Sequence, residues 1–138
     1  MGKINWGRVM LGGLLAGVVV NIFEAVTGML LQEEYKAAFA ALGKTMEESA
    51  AVYYILYGFV YGIFAVWFYA AVRPRFGAGP KTAAGAGLAV WFVGYLLPLI
   101  GYATMGLFPM RLIIIGGIVG LVETVLGTML GAWPYKEA

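Results

Sequence analysis

Two glutamates stand where an ionised side chain is expensive. Glu24 and Glu123 are the only charged residues inside four long apolar stretches, Val9–Gln32, Ala50–Val72, Thr82–Met110 and Leu112–Trp133. A carboxylate in hydrocarbon costs about 2.5–3.5 kcal/mol on insertion scales. No Lys or Arg falls inside a stretch to pair with either acid, so the neutral, protonated form is the cheaper state. A protonated carboxyl donates as well as accepts and needs partners of both kinds. Asn21, Thr27, Thr124, Thr128 and the helically spaced Tyr54, Tyr57 and Tyr61 are of the right types to supply them. The candidate site is therefore Glu24, Asn21, Glu123, Tyr57, Tyr61 and Thr124. Such a set suits the binding and release of a proton, a cation or a polar head group. The same acids would also serve as neutral links that fix helix register.

Helical phase places each acid on a face of small residues. At about 100° per residue, Gly13, Gly17, Asn21, Glu24 and Gly28 fall within an arc of about 80°. Gly116, Gly120, Glu123, Gly127 and Gly131 do the same. Those faces are expected to turn inward, because small residues let membrane helices approach closely. The pairs Gly13/Gly17, Gly58/Gly62, Gly116/Gly120 and Gly127/Gly131 all have GxxxG spacing. Ordinary contacts within one bundle explain them, and a dimer face is the alternative. At ~1.5 Å rise per residue the two acids differ in depth, with Glu24 in the outer half and Glu123 near the middle.

To hold these residues, each stretch is long enough to cross a bilayer, which takes about 20 residues in a helix. The chain is 62% hydrophobic and 12% charged, with a mean hydropathy of +0.88. A soluble domain of this length could not hide so much apolar surface. The runs are continuous rather than alternating, which selects helices over barrel strands. The expected fold is all-α: one membrane domain over residues 1–138, a four-transmembrane-helix bundle with helices at about 4–31, 46–72, 82–107 and 109–133. Lys3 and Arg8 precede the first run, which reads as an uncleaved helix because it is too long for a signal peptide and contains Glu24. Cys, His and Asp are all absent. That removes thiolate and imidazole metal sites and the Ser-His and Cys-His nucleophile pairs. No enzyme activity and no cofactor is expected.

Local signals refine the elements. In Gln32–Leu42, Tyr35, Phe39 and Leu42 have helical spacing and Gly43 offers a C-cap. This segment reads as a short interfacial helix in the first outer loop, or as a continuation of the first helix. Thr45-Met46-Glu47-Glu48 has the form of a capping box and predicts a helix start near Met46. Pro74 predicts an end near Val72. The Gly77–Pro80 turn lacks the strand and the Lys-Ser/Thr pair of a phosphate loop. Pro98 cannot donate to the Gly94 carbonyl, which predicts a kink, and Trp91, Tyr95, Pro98 and Tyr102 share one stripe.

Charge sets the expected topology. Lys3, Arg8, Arg73, Arg75, Lys81 and Lys136 lie at one end of the spans, and Lys36, Lys44 and Arg111 at the other. The positive-inside rule then puts both termini in the cytoplasm, in a bacterial-type cell membrane. Arg73, Arg75 and Lys81 would meet anionic lipid there. Nothing supports nucleic-acid binding.

Phe108-Pro-Met-Arg-Leu112 through Gly131-Ala-Trp133, with Leu42-Gly-Lys-Thr-Met-Glu-Glu48, resembles an uncharacterised bacterial family of small four-helix membrane proteins, over about a third of the chain. That resemblance implies a four-helix fold and no known activity. The chain departs from the family at Asn21–Gly28, where the family has an aromatic and proline-containing stretch. Size, helix number and a glutamate in the first helix are also similar to the small multidrug-resistance exporters. Their likeness implies one membrane glutamate exchanged between protons and a cationic drug in an antiparallel dimer. The basic-residue asymmetry and the long first loop depart from that family. Two readings follow. The first is a non-enzymatic membrane protein that forms a homo-oligomer or a small subunit of a larger complex. The alternative is a proton-coupled small-solute transporter or channel using Glu24 and Glu123.

Overall fold

The computed structural model describes residues 2–138. Among them there are helices and no strands: α1 (Trp6–Leu30), α2 (Gln32–Ala41), α3 (Ala50–Phe76), α4 (Pro80–Met105) and α5 (Met110–Ala132). All but α2 are long and apolar enough to cross a membrane. With no water in a bilayer core, helices this apolar keep every backbone bond inside the segment.

Helix ends follow local chemistry in most places. Asn5 caps α1, its Oδ1 accepting from the Arg8 N–H at 3.1 Å. The helix breaks at Leu31, so the segment after it is a separate helix. It ends in a Schellman motif: Gly43 takes φ 69°, its N–H donates to the Ala40 carbonyl at 3.0 Å, and the Lys44 N–H donates to Phe39 at 2.9 Å. The expected capping box does not form. Thr45–Glu48 lies outside any helix, Ser49 makes no cap bond, and α3 begins at Ala50. Ser49 Oγ instead donates to Glu47 Oε2 at 3.5 Å, and the helix starts where the apolar run starts. Nor does Pro74 end α3 at Val72. One lost bond in a last turn is tolerated, and the helix runs to Phe76 before Gly77 donates to the Arg73 carbonyl at 2.8 Å.

α1 and α4 stand at opposite corners, each packed against α3 and α5, which also touch each other. Both termini lie at one end: the Ala138 N–H donates to Lys3 O at 3.2 Å and Arg8 Nη1 to Pro134 O at 3.3 Å. At that end the helices are close-packed on glycine. A Cβ on Gly13 would stand 2.5 Å from the Ile63 Cα, and one on Gly62 would meet the backbone of Gly17 and Gly13. Gly12 and Gly131 bring α1 against α5 in the same way.

The other half of the bundle is different. No residue of α1 beyond Val20, of α3 before Gly58 or of α4 beyond Val90 is buried. Every residue of α3 from Ala51 to Tyr57 is exposed. At that end only Ala38 of α2 and Leu112 and Ile113 of α5 are buried, so the bundle is closed at the termini and more open toward α2.

Candidate functional site

The two acids meet where the closed half gives way to the open one, and a tyrosine joins them. Pro98 removes one N–H from α4, and the helix answers with a π turn at Phe92–Leu96, in which the Leu97 N–H donates to Phe92 O. A π turn shifts the phase of the side chains it carries. Here it carries Tyr95. Trp91 anchors the turn, its Nε1 donating to the Gly117 carbonyl of α5 at 3.0 Å. The Tyr95 ring lies on Gly120, where a Cβ would come within 2.5 Å of ring carbon Cδ1.

The Tyr95 hydroxyl is hydrogen-bonded to Glu24 Oε1 at 3.1 Å and to Glu123 Oε1. A phenol has one O–H and can donate to one of these oxygens. For the second contact to be a hydrogen bond, that carboxyl must carry a proton and donate to the phenol oxygen. The two carboxyls thus have one phenol O–H between them.

The two acids face different surroundings. Glu123 is 0% exposed, and its Oε2 has no hydrogen-bond partner among the described residues. Glu24 is exposed, on the open half. Thr124, also buried, bonds to Tyr61 (Oγ1 to hydroxyl, 3.2 Å), and the Tyr61 ring stands edge-on to Tyr95 at 5.7 Å. Thr128 donates to the Thr124 carbonyl at 2.6 Å.

Five of the six residues singled out from sequence lie at or next to this cluster. Glu24, Glu123, Tyr61 and Thr124 form it with Tyr95. Asn21 is one turn from Glu24, but its Nδ2 donates to the Ile55 carbonyl of α3 at 3.2 Å rather than to the acid. Tyr57 is 65% exposed and pairs with Tyr54 (6.3 Å between ring centres) rather than joining the cluster by a hydrogen bond. The sequence puts the central residue, Tyr95, only in an aromatic stripe, and its spacing of three before Pro98 is the available signal. No group of three His, Cys, Asp or Glu side chains among the described residues could hold a metal ion.

The basic cluster at the termini also divides. The Arg73 guanidinium turns over the Tyr135 ring, 5.3 Å from its centre, while Arg75 and Lys81 are exposed. No family model, curated protein or solved structure matches this chain.

Proposed function

We propose that this chain is a proton-coupled membrane carrier in which Glu24, Tyr95 and Glu123 form the titrating site. One observation carries the reading: a fully buried carboxyl with an unpartnered oxygen shares a phenol proton with a second carboxyl that is exposed on the open half. Intramembrane acids arranged this way mark ion and proton pathways far more often than packing sites. A cation arriving at Glu24 replaces the shared proton, so binding and proton release are one event. Asn21 holds α1 to α3 beside the site. Arg75 and Lys81 meet anionic head groups on the cytoplasmic side, and no cofactor takes part.

The test is proton release. Purified protein in weakly buffered detergent is mixed with a panel of alkali-metal and alkylammonium ions while a pH dye is followed. At least one ion is expected to release about one proton per chain, and Glu24→Gln and Glu123→Gln each to abolish the signal, because a glutamine amide has no proton to give up in this range. No release with any ion, or release undiminished in both variants, overturns the reading.

A second reading, assembly of several copies, is favoured by α3. Seven consecutive residues, Ala51–Tyr57, are exposed around its whole circumference. A neighbouring protein helix against Tyr53, Tyr54 and Tyr57 would give their hydroxyls partners that lipid cannot.

A further inference from the structure

Two recesses of similar size notch the bundle, one toward each end, and their linings differ in charge. The one between α2 and the turn before α5 measures about 520 Å³ and is edged by Glu34, whose carboxylate Arg111 Nε meets at 3.1 Å. The other measures about 540 Å³ and lies between the N-terminal segment and the last turns of α3. Gly2, Ile4, Ala70, Ala71, Pro74 and Arg75 line it. Among the described residues the ion pairs are Lys36–Glu33 and Arg111–Glu34, so Arg75 is without one.

The walls of this second recess are pinned. The Ala138 N–H donates to Lys3 O at 3.2 Å, and the Asn5 N–H to the Tyr135 hydroxyl at 3.4 Å, which ties residues 2–5 to the tail. Ile4 packs on the buried cluster that holds Val9, Tyr69, Ala70 and Tyr135. Depth follows from the length of α3. Its 27 residues span about 40 Å at ~1.5 Å each, against a hydrocarbon core of about 30 Å. The charge-free part stops at Val72, which puts Arg75 at the level of the head groups. Ala70 and Ala71 lie about 6–8 Å deeper, where acyl chains begin. The recess therefore runs from apolar wall to unpaired guanidinium, the order in which a phospholipid runs from acyl chain to phosphate.

One basic side chain of the local cluster belongs to the recess. Arg73 turns away over the Tyr135 ring, and Lys81 lies beyond the Gly77–Pro80 turn at the start of α4. An acid, Glu137, lies against Gly2, and Lys3 beside it is exposed.

We infer that this recess seats one anionic phospholipid, its phosphate on the Arg75 guanidinium and the start of its acyl chains against Ile4, Ala70, Ala71 and Pro74. The planar fork of a guanidinium donates to two phosphate oxygens at once. The inference rests on the reading that Arg75 meets anionic head groups and narrows it to a single seat. It is independent of proton coupling at Glu24 and Glu123.

The test counts bound lipid. Protein in mild detergent is mixed with equal amounts of phosphatidylglycerol and phosphatidylcholine of matched chains, and adducts are read by native mass spectrometry. A single phosphatidylglycerol is expected to be retained in preference. Arg75→Gln is expected to lower that adduct about fivefold, and Lys81→Gln less than about twofold. Ala71→Trp fills the recess and leaves every charge in place, so it is expected to remove the preference. Ala71 is exposed, so the bundle is expected to keep its thermal midpoint; Ala71→Leu is the second variant should tryptophan lower it. No preference between the two lipids overturns the seat and the wider head-group attraction together. Equal losses from Arg75→Gln and Lys81→Gln, with Ala71→Trp like the parent chain, overturn the seat alone. Full displacement of the lipid by inorganic phosphate means that the apolar wall contributes nothing, and it too overturns the seat.

Discussion

Gly62→Ala is expected to lower the thermal midpoint of the protein by about 10 °C, or to leave no folded bundle to measure. The added methyl would fall on the backbone nitrogen of Gly17 and the carbonyl oxygen of Gly13. Neither can rotate out of the way as a side chain would, so α1 and α3 must separate along their closest line of approach. Overpacking costs about 1–3 kcal/mol where side chains can yield. Here they cannot, and the cost belongs at or above the top of that range. A chain of this size has only about 5–15 kcal/mol to lose. Separation would also stretch the Asn21–Ile55 bond (3.2 Å) one turn further along the same interface. Gly85→Ala and Gly116→Ala are the controls, because a Cβ at either position meets nothing within 4 Å. Both are expected to leave the midpoint unchanged or slightly raised, as alanine favours the helix by up to about 1 kcal/mol. Tryptophan fluorescence on heating, in one detergent for all variants, gives the comparison. Equal midpoints for Gly62→Ala and Gly116→Ala would mean that the closed half is not held by backbone contact.

The contrast between those glycines shows what sequence alone carries. The spans were legible because bilayer length and summed hydropathy are local quantities. The placement of Glu24 and Glu123 on small-residue faces was legible for a similar reason, since helical phase is arithmetic. Phase did not say which glycines are used. A Cβ at Gly13, Gly17, Gly120, Gly127 or Gly131 would meet a neighbouring helix, while one at Gly28 or Gly116, on the same arcs, would meet nothing within 4 Å. The difference is depth, and it reflects a bundle that closes at one end only. No single helix encodes that. Tyr95 escaped for a second reason. Its stripe assumes a uniform 100° per residue, and the π turn at Phe92–Leu96 breaks that uniformity at the site itself. The start of α3 differs from the expected one because a capping-box pattern is cheap to match by chance, and the helix starts at Ala50, with the apolar run, rather than at Met46. The Arg73 guanidinium lies over the ring of Tyr135 from the other end of the chain, a contact invisible to any local window.

Tyr95→Phe separates a link that merely holds helices from a site that handles protons. The substitution removes one oxygen and keeps the ring on Gly120 and beside Tyr61. Glu123 then loses the partner of its Oε1, while Oε2 has none to begin with. Orphaning a buried polar atom costs about 1–3 kcal/mol, whereas replacing both partners by apolar groups of similar shape is nearly neutral. Tyr95→Phe alone is therefore expected to destabilise by about 1–3 kcal/mol. The double variant Tyr95→Phe, Glu123→Met is expected to recover most of that loss, methionine filling the irregular space of the acid. The recovered portion is the coupling energy of the cycle, about 0.5–3 kcal/mol for groups in contact. Proton release on adding cation is expected to fail in the single variant and to stay absent in the double. Recovery of stability without recovery of proton release is the signature of a site whose chemistry is distinct from its packing. If the double variant regains both, Tyr95 and Glu123 take no part in proton release and serve only to hold α4 and α5 together. If Tyr95→Phe is as stable as the parent chain, Glu24 has taken over the phenol's place and the two carboxyls pair directly.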